Sequence, residues 1–288
     1  MEIFQIHLTS NILPAKIGEV SLNNIDQVNK MENKVILVSI DGMRPDGVSK
    51  CGNPFVEELM KTGSYTLTAK TVMPSVTLPC HMSMFHSVPP ERHGIITNNY
   101  MPMVRPLNGL FEQIKNAGGK STMYYGWENL RDISRPGSLI AADYLNAYTA
   151  EHSDGVLTDR ALRDIPTLKP DFVFLYMVET DEKGGHDNGW MTETYLSYIF
   201  CAIDNVKRVI EAVGDEYTVI VTADHGGHDR IHGTALPEDT TIPMFFHGKK
   251  FEAGKALENV SILDLAPTIA QIMSVNPDPA WEGKSLIS

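Results

Sequence analysis

The chain has 288 residues, of which 42% are hydrophobic, and its formal net charge is −12 at pH 7. This length suits one large α/β domain or two small ones, and the hydrophobic content is ordinary for a globular protein. Because the charge is negative and no Lys/Arg block occurs, we expect no binding to a nucleic-acid polymer. The three cysteines are too few and too scattered for a disulfide framework.

The first 20 residues lack the basic start and unbroken apolar segment of a secretory signal. No apolar run reaches the ~18 residues of a membrane span, so we expect a cytoplasmic location and no membrane partner. Residues 1–33 are predicted to form an N-terminal extension or edge hairpin, because residues 3–8 alternate between apolar and polar side chains. The oligomeric state is left open.

Apolar runs and turn residues predict alternating strands and helices along the rest of the chain. Strands are predicted over residues 34–40, 64–73, 121–126, 172–178, 218–223 and 243–246. Helices are predicted over residues 54–60, 80–86, 107–118, 159–165, 191–214 and 261–273. This order favours an α/β fold with a central, mostly parallel sheet and helices on both faces. Residues 126–165 are less regular and are predicted to include a small cap over the active site.

An aspartate follows three of the apolar runs: Asp41, Asp181 and Asp224. In an open α/β sheet, ligands bind outside the carboxyl ends of the strands. Each aspartate alone could be a helix cap or a turn residue. Three carboxylates at one edge would repel each other unless a cation lay between them, so together they predict a cation site.

Three histidines lie in the loops after these aspartates. His225 directly follows Asp224, His186 comes five residues after Asp181, and His232 lies in the same loop as His225. Mixed carboxylate and imidazole ligands suit Zn²⁺, and also Mn²⁺ or Fe²⁺. Six such ligands suit two ions better than one, and a two-metal site can hold both the attacking and the leaving oxygen of an in-line displacement.

Thr77 and Asn98 supply the remaining reactive groups. Thr77 lies near the predicted start of a helix, where backbone N–H groups favour an anion. Coordination to a metal would deprotonate its hydroxyl and make it a nucleophile. Asn98 could donate an amide N–H to a phosphoryl oxygen. Ser75 is a rival nucleophile and Asn99 a rival donor.

Four segments in chain order resemble motifs of the alkaline phosphatase superfamily, and most of all its nucleotide pyrophosphatase/phosphodiesterase branch: SIDGMRPD, MPSVTLPCHMSMFHSVPPERHGIITNN, ETDEKGGHDNGW and TADHGGHDRIHG. The resemblance runs from about residue 34 to the C-terminus. It implies an alkaline phosphatase-like three-layer sandwich. Because no interdomain linker is evident, we predict a single catalytic domain over residues 1–288.

The resemblance also implies which residues hold each ion. One ion would be held by Asp41, Thr77, Asp224 and His225. The other would be held by Asp181, His186 and His232. Thr77 would form a phosphothreonine, Asn98 would support the transition-state oxygens, and the second metal would activate the water that cleaves the intermediate. Zn²⁺ is the favoured metal.

The third segment departs from the superfamily pattern. The usual spacing from aspartate to histidine is four residues, whereas Asp181 and His186 are five apart because of Gly184 and Gly185. A flexible loop can absorb one more glycine. The spacing leaves open whether Asp181 or Glu182 is the ligand, and we predict Asp181.

These residues predict a metal-dependent phosphodiesterase or nucleotide pyrophosphatase that acts on a small phosphorylated substrate. A phosphomonoesterase and a phosphonate (C–P) hydrolase are alternatives within the superfamily, and a non-catalytic metal- or phosphate-binding protein is the alternative of another class. Monoesters carry more negative charge, and no basic residue stands out to meet it, which favours diesters.

Some neighbouring residues have simpler interpretations. His228 is a less favoured ligand candidate, and His81 is predicted to orient a ligand rather than bind metal. His93 is predicted to order the turn that carries Asn98. The aromatic side chains that could stack on a leaving group, although packing is the simpler role for each, are Tyr100, Trp127 and Trp190.

Overall fold

A computed structural model describes residues 31–287 of the chain. The hairpin predicted within residues 1–33 lies almost entirely outside this range. In the described part of the chain, no helix has the length and apolar character needed to cross a membrane.

A seven-stranded sheet forms the centre of the described structure. Its strands are β1 (Lys34–Ile40), β2 (Ser64–Lys70), β3 (Ser121–Tyr125), β4 (Ala141–Tyr144), β5 (Phe172–Met177), β6 (Tyr217–Thr222) and β7 (Thr241–His247). Their order across the sheet is β2-β7-β6-β1-β5-β3-β4. β7 pairs antiparallel with both β6 and β2, whereas the pairs from β6 to β4 are parallel. The sheet is therefore mostly parallel, as predicted.

Nine helices of the described residues connect and cover the strands. They are α1 (Pro45–Lys50), α2 (Phe55–Thr62), α3 (Thr77–His86), α4 (Pro90–His93), α5 (Leu110–Asn116), α6 (Ser153–Leu168), α7 (Glu193–Val213), α8 (Pro237–Thr240) and α9 (Leu265–Met273). α7 packs against α1, α2 and α6, whereas α3, α5 and α9 pack against each other. These two groups are the outer layers of the predicted three-layer sandwich.

Aromatic residues of β5 show how one layer is attached to the sheet. Phe172 and Phe174 alternate along the strand, so both point to one face. There they meet Phe85 of α3, which stacks on Phe111 of α5 at a centroid distance of 4.8 Å. Burial of each such ring stabilises the fold by about 1.5–3 kcal/mol. This cluster holds the helix that begins at Thr77 against the sheet.

The prediction of an irregular segment over residues 126–165 is wrong in part. Ala141–Tyr144 forms the edge strand β4, and Ser153–Leu168 forms α6, which buries Leu157 and Ala161. β4 has only four residues and alternates between intermediate and exposed positions, so its apolar pattern is weak. A role of the remaining residues as a cap stays a prediction.

Candidate two-cation active site

Sheet order brings the three aspartates together. β6, β1 and β5 are neighbours, and all three run in the same direction. Asp41 follows β1 directly, while Asp224 and Asp181 lie shortly after β6 and β5. All three side chains are buried at the carboxyl edge of the sheet. The three aspartates therefore lie together at one edge of the sheet, as predicted.

A first group of possible ligands contains Asp41, Asp224 and His225, whose ligand atoms all lie within 4.8 Å of one another. His225 Nε2 is 3.3 Å from Asp41 Oδ1 and also 3.3 Å from Asp224 Oδ2. The hydroxyl of Thr77 lies 3.1 Å from the same nitrogen. The four residues assigned to one ion are therefore in contact.

A second group contains Asp181, His186 and His232, again with ligand atoms within 4.8 Å of one another. His186 Nε2 is 3.4 Å from Asp181 Oδ2. The rings of His232 and His225 stack at a centroid distance of 3.9 Å, so the two groups adjoin. Glu182 is not part of this group.

A π-helix explains how Asp181 and His186 meet across five residues. Thr180–His186 forms this helix, in which hydrogen bonds connect residue i to residue i+5. Residues five apart in a π-helix are neighbours on one face, as residues four apart are in an α-helix. The additional glycine is therefore absorbed by a wider turn and not by a flexible loop.

All three histidines use Nδ1 for a hydrogen bond to the backbone, which leaves Nε2 available. In each ring, Nδ1 lies within 2.9 Å of a backbone carbonyl oxygen. The carbonyl belongs to Arg230 for His186, to Gly226 for His225 and to Ser75 for His232. A carbonyl only accepts, so Nδ1 carries the proton and Nε2 of the neutral ring has a free lone pair. This second hydrogen bond is typical of metal-binding histidines.

The carboxylates have unused oxygens that fit bound cations. Asp41 Oδ1, Asp181 Oδ1 and Asp224 Oδ2 are buried and have no hydrogen-bond partner among the described residues. The Nε2 lone pairs of the neutral imidazoles face these carboxylates, and a lone pair and a carboxylate repel each other. Buried polar atoms are rarely left without partners, and a divalent cation in each group would satisfy both atom types. The residues present therefore fit two ions.

The pKa values of Asp41 and Asp181 reflect the same repulsion. Burial raises the pKa of Asp41 well above its usual value, and the charges of Asp181 and Asp224 raise it further. Burial and Asp224 likewise raise the pKa of Asp181. For Asp224 burial also raises the pKa, but the charges of His225 and His81, when these rings are protonated, outweigh burial and lower the pKa. Burial lowers the pKa of His232 to about 3, which keeps this ring neutral and able to bind metal.

Thr77 and Asn98 meet at the start of α3. Thr77 is the first residue of this ten-residue helix. Asn98 Oδ1 accepts the backbone N–H of Leu78 at 3.0 Å, which leaves Asn98 Nδ2 without an acceptor among residues 31–287. Asn129 Nδ2 donates to the Asn98 carbonyl at 2.7 Å. The amide donor is thus held beside the helix N-terminus, whereas Asn99 is exposed.

The rival candidates have structural roles. Ser75 Oγ is buried and donates to the Thr234 carbonyl at 2.9 Å. His228 Nδ1 pairs with Asp239 Oδ1 at 2.7 Å and lies outside both ligand groups.

The two histidines predicted to act as supports make hydrogen bonds to the backbone at Thr77 and at Ile95. His81 Nδ1 donates to the Thr77 carbonyl at 2.8 Å and lies 3.5 Å from Asp224 Oδ2. His93 Nδ1 accepts the backbone N–H of Ile95, three residues before Asn98, at 3.1 Å.

Sequence reasoning missed Tyr176, whose hydroxyl donates to Asp41 Oδ2. It also missed the support of Gly42, whose carbonyl accepts from Trp190 Nε1 at 3.0 Å and from the Tyr195 hydroxyl at 2.8 Å. Tyr176 lies within an apolar strand and Tyr195 within an amphipathic helix, where an aromatic residue predicts packing. No local signal distinguished them.

The fold and the paired ligand groups define a protein of the alkaline phosphatase superfamily, in agreement with the resemblance. A family model described as Type I phosphodiesterase / nucleotide pyrophosphatase matches residues 35–238, and the chain belongs to this family. Related members hydrolyse phosphoric ester bonds, and the family is metal-dependent, typically with two ions.

Individual relatives are distant. The chain is 22% identical over 277 residues to bis(5'-adenosyl)-triphosphatase ENPP4 of Homo sapiens, covering 87% of this chain and 57% of the relative. It is 29% identical over 141 residues to 2,3-bisphosphoglycerate-independent phosphoglycerate mutase of Haloquadratum walsbyi, covering 47% of this chain and 28% of the relative. The chain thus spans less than two thirds of the length of these relatives.

Solved structures share the fold. An inactive murine ectonucleotide pyrophosphatase / phosphodiesterase 5 in complex with AMP matches with a TM-score of 0.73 and 16% identity, over 86% of this chain and 96% of that chain. A phosphonate monoester hydrolase from Silicibacter pomeroyi matches with a TM-score of 0.71 and 14% identity, over 88% of this chain and 76% of that chain.

Proposed function

We propose that this chain is a two-metal phosphodiesterase of the nucleotide pyrophosphatase type, in which Thr77 is the nucleophile. One observation carries the proposal: the Thr77 hydroxyl lies 3.1 Å from His225 Nε2, inside the first ligand group and at the start of α3. A weak nucleophile placed there combines a site for a cation with a helix terminus that favours anions.

Two divalent cations, with Zn²⁺ favoured, would be held by the two groups and would supply charge stabilisation and nucleophile activation. Thr77 Oγ1 would attack phosphorus, so that a Thr77 O–P bond forms and the leaving-group O–P bond breaks. Water would then attack the same phosphorus and release Thr77. Asn98 Nδ2 would donate to a nonbridging oxygen, whose negative charge grows in the transition state.

The basic side chains near the site are already bound to protein groups, which favours a diester substrate over a monoester. The Arg44 guanidinium already donates to Asp46 and to the Gly227 carbonyl. Lys183 Nζ donates to Glu179 Oε1 at 2.6 Å and to the Ala150 carbonyl at 3.0 Å. Both side chains neutralise or bind protein groups, so neither is poised to meet the additional charge of a monoester.

The comparisons support a small nucleotide-type substrate. One curated relative is named a bis(5'-adenosyl)-triphosphatase, and one structural neighbour is in complex with AMP. Both names describe phosphoryl groups attached to a nucleoside. A single catalytic domain over residues 1–288 and a cytoplasmic location stay predictions.

The test is hydrolysis of bis-p-nitrophenyl phosphate, p-nitrophenyl phosphate and phosphonoacetate after chelation and reloading with Zn²⁺ or Mn²⁺. We expect the diester to be the best substrate. Thr77→Ala should lower kcat by roughly 10³-fold or more, because covalent catalysis loses its nucleophile. Thr62→Ala, at the end of α2, is the matched control. Full activity of Thr77→Ala would contradict the covalent mechanism, and a better rate on the monoester or phosphonate would favour those alternatives.

A further inference from the structure

The indole of Trp190 takes no part in the reaction proposed above, yet it contacts two residues of the second ligand group and the backbone next to the first. Trp190 is 6% exposed. Its ring lies edge-on to His186 at a centroid distance of 5.1 Å and to His232 at 6.1 Å. Its Nε1–H donates to the carbonyl of Gly42, the residue after Asp41, at 3.0 Å. One side chain therefore connects two ligands of the second group with the backbone beside the first.

Two glycines leave the space that this indole fills. A Cβ atom added to Gly185 would lie 2.5 Å from the indole, and one added to Gly227 would lie 2.2 Å from it. Gly185 directly precedes His186, and Gly227 comes two residues after His225. The indole thus packs against bare backbone on two ligand loops, where contact is closer than any side chain would allow.

Gly42 extends this contact to Asp181. Gly42 has φ of +64°, and a Cβ atom added there would lie 2.7 Å from Asp181 Oδ1. The Gly42 carbonyl accepts hydrogen bonds from both Trp190 Nε1 and the Tyr195 hydroxyl, and the Asp181 carboxylate lies against this turn. Trp190 therefore contacts His186 and His232 directly and reaches Asp181 through Gly42.

We propose that Trp190 is a positioning residue that sets the second ligand group, Asp181, His186 and His232, relative to the first. The inference rests on the proposed two-cation function. Partners that orient metal ligands contribute to affinity, and their loss costs roughly 10–100-fold in metal affinity or activity. Ring orientation matters because the lone pair on each Nε2 must point at the ion.

Trp190→Phe tests the inference, because it removes the indole N–H and part of the ring. Metal titration of the chelated chain by calorimetry should show two binding events in the native chain. In the variant, the Kd of the second ion should rise roughly 10–100-fold while the first changes much less. Trp281→Phe is the matched control, since Trp281 Nε1 also donates to a backbone carbonyl, that of Asn108, at 2.9 Å. It should bind both ions as the native chain does.

Equal Kd values for the second ion in Trp190→Phe and the native chain would overturn the inference, even with two ions bound. Failure of the native chain to bind a second ion would instead overturn the proposed function. The melting temperature of Trp190→Phe without metal reports general destabilisation. Only a smaller increase in melting temperature on adding metal, relative to the native chain, supports a positioning role.

Fluorine NMR of the 5-fluorotryptophan-labelled native chain provides a test that does not depend on whether Trp190→Phe folds. The chain has three tryptophans, so Trp127→Phe and Trp281→Phe identify the Trp190 signal by elimination. Binding of the second ion should shift the Trp190 signal and leave the Trp281 signal in place. An unshifted Trp190 signal would contradict the inference.

Discussion

Asn98 shows how one side chain can serve both the fold and the proposed chemistry. Its Oδ1 accepts the Leu78 N–H, which has no partner within helix α3 because it lies in the first turn. This contact orients Nδ2. An amide is suited to this position because it carries an acceptor and a donor on one rigid plane.

Replacing Asn98 separates these two roles. Asn98→Asp keeps an acceptor for Leu78 but removes the donor, and we expect kcat on the diester to fall roughly 10²–10³-fold, as for loss of an oxyanion-hole donor. Asn99→Ala, at the exposed neighbouring position, should change kcat less than about twofold, since surface changes away from a site have small effects. Steady-state kinetics measures both, and a fully active Asn98→Asp would exclude the donor role.

His93 links stability to pH near the same turn. Burial lowers its pKa to about 4, and its Nδ1 accepts the Ile95 N–H. A lowered pKa in the folded chain means that stability is present above the unfolded pKa of about 6.5 and is lost as the pH falls towards 4, by at most about 3 kcal/mol.

His93→Asn should make unfolding less sensitive to acid, because Oδ1 keeps an acceptor near Ile95 but does not titrate. We expect the free energy of unfolding in urea to fall less between pH 6.5 and 4.5 for this variant than for the native chain. Equal pH slopes would show that His93 makes no contribution, and other buried histidines would then have to account for acid sensitivity.

At the level of elements, the π-helix Thr180–His186 is the feature that local pattern did not predict. Spacing alone indicated a flexible loop, because five residues between ligands do not match an α-helical face. The π-helix is stabilised where it packs, since Gly184 lies against Tyr195 and Gly185 against Trp190. These contacts come from residues beyond the motif, so only the folded structure shows them.

Changing the length of this element tests the register. Deletion of Gly184 should convert the π-turn to an α-turn and keep Asp181 and His186 on one face, with binding of the second ion retained within roughly tenfold. Insertion of one more glycine after Gly184 should abolish the second site, because His186 would then turn away from Asp181. Metal content of the purified variants measures both, and loss of the ion on deletion alone would contradict the register.

For the whole molecule, the central part of the sheet concentrates negative charge at one edge. β6, β1 and β5 deliver three buried carboxylates to one place. Burial and mutual repulsion raise the pKa values of Asp41 and Asp181. A raised pKa means that the contribution to stability is present at low pH and is lost as the pH rises through the raised value.

The increase in melting temperature on adding Zn²⁺ to the chelated chain should therefore be larger at pH 8 than at pH 6. Metal bound to the folded state stabilises it, and it does so most where ion-free carboxylates repel most strongly. Without ions at pH 8, Asp41→Asn should have a higher melting temperature than the native chain. With Zn²⁺, its melting temperature should be lower than that of the native chain. Thermal denaturation with and without chelator measures these values, and a metal effect independent of pH would oppose this explanation.

Much of the fold could be predicted because it depends on local pattern. The apolar runs ending near Asp41, Asp181 and Asp224 predicted buried parallel strands. Helix α3 was also predicted, although it begins at Thr77, three residues before the predicted start at Cys80. By contrast, the weakly apolar strand β4 was predicted as part of an irregular segment. Its pairing with β3 stabilises it, and such pairing is not visible in a four-residue pattern.

By itself, the sequence determined the types of candidate ligand, their positions after strands and the family, because residue identity and spacing are local properties. Tertiary structure decided which ligands share a group, through the strand order β6-β1-β5 and the π-turn before His186. It also decided that Tyr176 donates to Asp41 and that Trp190 donates to the Gly42 carbonyl. The physical reason is that these contacts join residues far apart in the chain, and burial at the sheet edge, rather than any local preference, selects them.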